Sequence, residues 1–178
     1  MGNMKVKPKL LILGAGEYGQ LVKEIARNKY PVIDFLDDNS EAAIGKIDDV
    51  VKYRLDYDAI VAIGNPEKRK ELFEKLESLG FDIPTIVSDK AYVSPTAEIE
   101  PGSVIEPMAV VNTGAKIKRG TFINAGAVVN HNAIVNEFCQ IDCNAVVGAN
   151  AEVPAGMHLN CCQTMIKVGK PENWSFSE

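Results

Sequence analysis

Two different rules of hydrophobic placement divide the chain. Up to Val87, short apolar runs alternate with amphipathic stretches. From Val93 onward, an aliphatic residue returns at every sixth position.

The first rule predicts a small α/β unit. Lys9 to Leu13 is a buried-strand run closed by Gly14-Ala-Gly16. A helical pattern follows, with Leu21, Val22, Ile25 and Ala26 on one face. Pro31 separates it from a second strand, Val32 to Leu36, and Asp37-Asp38-Asn39-Ser40 forms a turn. A third strand is expected over Ala59 to Ile63, closed by Gly64-Asn65-Pro66. A helix entered at Pro66 carries Leu72, Phe73, Leu76 and Leu79 and ends at Gly80. Ile83 to Val87 reads as a fourth strand. Strands alternating with helices through short loops imply a parallel sheet.

The second rule gives the series Val93, Ile99, Ile105, Val111, Ile117, Ile123, Val129, Val135, Ile141, Val147, Val153 and Leu159. Four residues after most of these comes a small side chain, from Ala97 and Ser103 through Cys139 and Ala145 to Ala151. Neither a helical period of 3.6 nor a strand period of 2 produces this. Hexapeptide repeats of a parallel β-helix do. Each hexad supplies one side of a three-sided coil of 18 residues, with the aliphatic residue inward and the small one at the corner. The hexads loosen at Met157 and Gln163 and fade after Leu159. The expected organisation is an α/β domain over 1–88, a β-helix over 89–169 and a polar tail over 170–178. Charge supports the division: residues 1–92 hold 30 of the 43 charged side chains and 93–164 hold 9.

Composition narrows the function. The net charge of −5 disfavours bulk attraction to nucleic acid, though a local basic pocket for phosphate remains allowed. No apolar run approaches the roughly 20 residues of a membrane span. The basic start, Met1 to Lys9, precedes only a short apolar run and is not a secretory signal. A cytoplasmic protein with four free thiols is expected. There is no CxxC pair, and with His131 and His158 the only histidines a zinc site is not expected.

Gly14-x-Gly16-x-x-Gly19, between a strand and a helix, is a context in which a loop approaches phosphate. It equally suits a tight turn in an empty domain. Asp37 and Asp38, at the end of the second strand, are candidates for a ribose or a base edge. His131 follows the inward Val129 by two places and so belongs on a face or corner. Imidazole suits proton removal near neutral pH. A lone surface histidine is the competing reading. The cysteines show no pattern that lowers a thiol pKa, and Cys139 occupies a core slot.

In the order of Gly14-Ala-Gly-Glu-Tyr-Gly19, Phe35-Leu-Asp-Asp-Asn39, Ala62-Ile-Gly-Asn65, Ile123 to Asn132 and Val135-Asn-Glu-Phe138, the chain resembles the hexapeptide-repeat acyltransferases with left-handed β-helices. Among them it is similar to the sugar O- and N-acetyltransferases of sialic acid and bacillosamine biosynthesis. That resemblance implies a Rossmann-like domain that binds a nucleotide-linked amino sugar, acetyl-CoA as donor, and a homotrimer. It implies His131 as general base and the Ala149 N–H, one coil on, as oxyanion donor with Gly148 beside it. It places Gly14, Gly16, Tyr18, Asp37, Asp38 and Asn65 on the nucleotide sugar, Gln140, Gly148 and Ala149 on the cofactor, and Asn132 beside the base as a catalytic residue that orients the ring. The chain departs from the family at Tyr18, where a histidine is usual, and at Asn132, where an acid assists the base. It departs again at Gln140, where a second histidine stands, and in its shorter run of coils. Lys167 and Lys170 are candidates for CoA phosphates or for solvent, and Trp174 and Phe176 for a cap on the open end. A non-catalytic nucleotide-sugar-binding or assembly protein is the alternative.

Overall fold

The computed structural model describes residues 9–167. The expected cap by Trp174 and Phe176, Lys170 and the tail lie outside these residues.

Strands β1 (Lys9–Leu13), β2 (Val32–Leu36) and β3 (Tyr57–Val61) form a parallel sheet in the order β2-β1-β3. After Lys9, central β1 is apolar without a break because helices or the β-helix cover both its faces. Helix α1 (Glu17–Ala26) buries Gly19, Val22 and Ala26. Helix α2 (Pro66–Leu79) buries Leu72, Phe73 and Leu76. Asn65 caps α2 by accepting the Lys68 N–H at 2.8 Å, Pro66 opens it, and Gly80 closes it with φ +73°.

β3 starts two residues earlier than its apolar run suggests. It is an edge strand, and its half-buried start is held by side chains: Tyr57 Oη donates to Asp34 Oδ2 at 2.8 Å and Tyr30 Oη to Asp58 Oδ2 at 3.0 Å. A 3-10 segment, Ile47–Tyr53, links β2 to β3. The expected fourth strand is absent from this sheet. Only Ile86–Val87 is a strand, and it pairs instead with Val104–Ile105 as the first rung of the β-helix.

The hexads form three parallel sheets in which each strand pairs with the strand 18 residues on. This is the i,i+3 connectivity of a left-handed β-helix. The first face holds Ile86–Val87, Val104–Ile105, Phe122–Ile123, Gln140–Ile141 and His158–Leu159. The second runs from Tyr92–Val93 to Thr164–Met165, and the third from Glu98–Ile99 to Glu152–Val153. The stack thus continues past Leu159, with Met165 pairing Val147. Inward residues such as Ile105, Val129, Ile141 and Val153 are fully buried. Burial of each contributes about 1.5–3 kcal/mol relative to exposure. From Gly102 to Cys162 every sixth residue takes a left-handed conformation at the corner, including Gly120, Gly126, Asn132, Asn144 and Asn150. Asparagine tolerates this better than other non-glycine residues.

Outward residues decide where the α/β domain sits. On the first face Ile86, Val104 and Phe122 are apolar and buried in one core with Ile12, Val22, Tyr30 and Phe35. The same column turns polar at Gln140 and His158, where that cover ends.

Candidate functional site

The glycine loop is braced from several sides. Gly14 has φ +109°, and a side chain there would press on the Ala62 carbonyl. A Cβ at Gly19 would collide with the Gly14 carbonyl, so α1 packs directly on the loop. Gly16 is the N-cap of α1 and faces open space. An anion is favoured there by the free N–H groups and the helix dipole.

The acids after β2 act locally. Asp37 accepts the Ala15 N–H through Oδ2 and the Asn39 N–H through Oδ1, both at 2.8 Å. These backbone bonds hold its carboxyl below the usual aspartate value. Asp38 accepts the Ile47 N–H at 3.1 Å. Asp37 therefore shapes the loop expected to receive a ligand.

Tyr18 lies at the domain junction. Its ring stacks on Phe122 with centroids 4.6 Å apart. Its hydroxyl is buried and faces the Glu106 carboxyl, with no hydrogen bond of good geometry among the described residues. Burial, then the neighbouring Glu106 carboxyl, pushes its pKa well up. Glu106 is itself buried, accepts the Ala125 N–H at 3.0 Å, and is pushed up chiefly by desolvation.

His131 occupies the turn between Val128–Val129 of the second face and Ile134–Val135 of the third. It is exposed. Its N–H donates to Asn130 Oδ1 at 3.0 Å, and its carbonyl accepts the Asn150 N–H at 3.0 Å. Gly148, Ala149 and Lys167 lie on this same edge, with Ala149 one coil and Lys167 two coils above His131. Among the described residues the Ala149 N–H makes no hydrogen bond. Asn132 stands in a left-handed turn, φ +55°, with its side chain over Gly114.

Gln140 is elsewhere. It lies on the first face beside the α/β domain, and its Nε2 donates to Asp142 Oδ1 at 3.0 Å. The chain thus gathers its candidates on two edges. Gly14, Gly16, Tyr18, Asp37, Asp38, Asn65 and Gln140 belong to the side of the α/β domain. His131, Gly148, Ala149 and Lys167 belong to the edge between the second and third faces. Within one chain the β-helix separates them.

Two features were missed in the sequence. Arg69 is buried without a carboxylate partner; its guanidinium lies 4.1 Å from the Phe122 ring centroid, and desolvation pulls its pKa down to about 10. Asp142 binds His158 Nε2 at 2.7 Å. The second was within reach of column arithmetic, because His158 stands 18 residues after Gln140.

The cysteines are free thiols. Cys139 is buried, donates to the Pro154 carbonyl, and has its pKa raised by burial, as does Cys143. A cleft of about 450 Å³ between α2 and the β-helix is lined by Pro66, Glu67, Lys70, Arg119 and Glu137 among others, and includes none of the glycine-loop residues. Among the described residues no helix is long and apolar enough to cross a membrane.

Comparison with known proteins gives this geometry a relationship. A family model described as the PglD N-terminal domain matches residues 9–76. The acetyltransferase domain of PglB from Neisseria gonorrhoeae FA1090 is 28% identical with a TM-score of 0.80, covering 88% of this chain and 90% of that one. The same domain in complex with acetyl coenzyme A is 27% identical, TM-score 0.78, covering 91% and 94%. A histidine-to-alanine variant of GDP-perosamine N-acetyltransferase from Caulobacter crescentus, in complex with CoA and GDP-perosamine, shares the fold at 20% identity and TM-score 0.65, covering 92% and 95%. The N-terminal unit is thus similar to the PglD N-terminal domain, and the whole chain shares its α/β unit and left-handed β-helix of hexapeptide repeats with these acetyltransferase structures.

Proposed function

We propose that the protein transfers an acetyl group from acetyl-CoA to a nucleotide-linked amino sugar, with His131 as general base. The single observation that carries this reading is the edge on which an exposed imidazole, His131, stands one coil below the unbonded N–H of Ala149. A base and an oxyanion donor on one rigid wall are what attack on a thioester requires. Acetyl-CoA would lie along this edge, with Gly148 leaving room and Lys167 toward its phosphates. The likeness to a PglB domain in complex with acetyl coenzyme A supports the donor.

The sugar nucleotide would bind at Gly14 to Gly16 at the N-terminus of α1, with Asp37, Asp38 and Asn65 shaping the crevice. Because His131 and this crevice lie on different sides of one β-helix, the complete site draws on two copies in a homotrimer. The outward columns support this arrangement. The first face is covered by the α/β domain, and the third carries Glu98, Lys116 and Glu152 outward. The second presents Tyr92, Val110, Val128 and Val146, an apolar stripe suited to a neighbouring copy.

The test is incubation with acetyl-CoA and a panel of UDP-, GDP- and CMP-linked amino sugars, reading released thiol and the acetylated product by mass spectrometry. One sugar consumed with matching thiol release is expected. No product from any sugar, together with no acetyl-CoA binding, would favour the non-catalytic alternative.

A further inference from the structure

Asp142 is the hub of a polar cluster at the edge between the first and second faces. Its Oδ1 accepts Asn124 Nδ2 and Gln140 Nε2, each at 3.0 Å. Its Oδ2 accepts His158 Nε2 at 2.7 Å and faces Cys161 Sγ at 3.7 Å. The His158 side chain is 53% exposed. With Nε2–H given to the carboxylate, the lone pair sits on Nδ1, the oriented and basic tautomer.

The location matters more than the pair itself. His158 stands one coil beyond Gln140 on the column that the α/β domain covers lower down. It lines a small cavity with Gly64, Pro66, Arg69 and Gln140, at the loop that closes β3. Open α/β sheets bind ligands at the carboxyl ends of their strands. One further atom on this side, Asn124 Oδ1 in a residue 8% exposed, lacks a partner among the described residues.

We infer that the His158–Asp142 pair of one copy is a second proton acceptor of the site that His131 of a neighbouring copy completes, and that the acceptor group it serves is an amine arriving as its ammonium ion. This rests on the acetyltransfer reading above. A sugar amine with a pKa near that of an α-amino group, about 8, is mostly protonated at neutral pH and cannot attack. Two protons must leave nitrogen. His158 Nδ1 takes the first and releases it to solvent, and the Asp142 carboxylate stabilises both the ammonium and the imidazolium. The neutral amine then attacks the thioester carbonyl. The N–C bond forms and the C–S bond breaks, with its electron pair going to sulfur. His131 takes the second proton and returns it to the CoA thiolate. The sum is ammonium plus thioester giving amide, thiol and one free proton. A hydroxyl acceptor would need only one base.

The groups around His158 that can titrate are Asp142 and Cys161 on adjoining turns, Cys143 beside Cys161, Glu106 and Tyr18 further along the edge, and Arg69 of α2. The experiment is kcat and KM against pH for wild type, His158→Gln and Asp142→Asn on the sugar that wild type acetylates. At about pH 6.5 His158→Gln should lower kcat/KM for the sugar roughly 10-fold or more, with the KM for acetyl-CoA unchanged. At about pH 9, where the amine arrives neutral, it should come within about twofold of wild type. Asp142→Asn should reproduce the loss at about pH 6.5, because the ring is no longer held with its Nδ1 lone pair free. A pH-independent loss, or no loss at pH 6.5, with an active wild type overturns this inference alone. A wild type that acetylates no sugar overturns it together with the function.

Discussion

Arg69 Nη2 on α2 donates to the Phe138 carbonyl at 2.7 Å, across the junction between the α/β domain and the β-helix. The same guanidinium reaches Gly120 O at 2.8 Å and, on the other side, Ile63 O at 2.7 Å and Gly64 O at 2.9 Å. One buried cation therefore satisfies carbonyls of both units. It fixes the loop after β3 against the coil corner.

Arg69→Met should destabilise the protein by about 3–5 kcal/mol, because it leaves those carbonyls buried and unpaired. At roughly 2–4 °C per kcal/mol for a chain of this size, the melting temperature should fall by about 6–20 °C. Thermal unfolding of the two proteins checks this, and a fall of only a degree or two would show that the junction does not depend on the guanidinium.

Glu106 gives a pH signature. Burial raises its pKa in the folded state, so the folded protein holds a proton that the unfolded chain has released. The sign follows: wild-type stability falls as pH rises through the carboxylate range above its ordinary value of 4.5. Glu106→Gln keeps an acceptor for the Ala125 N–H and removes the titration. Its melting temperature should match wild type near about pH 4 and exceed it by a few degrees near neutrality. Parallel melts across that range measure the difference.

Asn132 is a turn residue by its backbone, with φ +55°. Asn132→Gly should leave the melting temperature within about 1 kcal/mol equivalent of wild type, whereas Asn132→Val should cost about 1–3 kcal/mol. If Asn132 also orients the His131 ring, Asn132→Gly will lower kcat without unfolding the protein. Comparing kcat with the melt separates the two roles.

The apolar column of the second face predicts assembly. Val128 is half-buried in the single chain and points outward beside the inward Val129. Val128→Lys should convert a trimer to monomers by sedimentation velocity and reduce activity at least roughly 10-fold, while circular dichroism stays unchanged. A monomeric wild type would remove the shared site from the account.

Most of the fold was legible in the sequence because its periods are physically exclusive. Every sixth residue from Val93 to Leu159 lies inward, and the small corner residues Ser103, Thr121, Ala133 and Cys139 are fully buried. Helices α1 and α2 could be read from their faces and from the Asn65-Pro66 and Gly80 boundaries. Ile86–Val87 was misplaced because a two-residue apolar rung looks the same in either sheet, and only its phase with Val93 distinguishes them. The docking face was written in the column Ile86, Val104 and Phe122, but it appears only when positions 18 apart are compared. The candidate site was less legible. Sequence supplies His131 and Ala149 as neighbours one coil apart, yet it does not reveal that Asp37 is committed to the Ala15 N–H or that the Tyr18 hydroxyl is buried. Nor does a single hydrophobic pattern disclose a buried cation such as Arg69, whose partners are all backbone carbonyls.

The role of His131 is read most directly from single-turnover acetyl transfer from labelled acetyl-CoA to the sugar acceptor, with wild type and His131→Ala side by side. A general base at His131 predicts label on the sugar with wild type, a loss of roughly 100-fold or more in His131→Ala, and acetyl-CoA binding retained by both. Equal rates from the two proteins would contradict it, because the exposed imidazole beside the Ala149 N–H would then have no part in the chemistry.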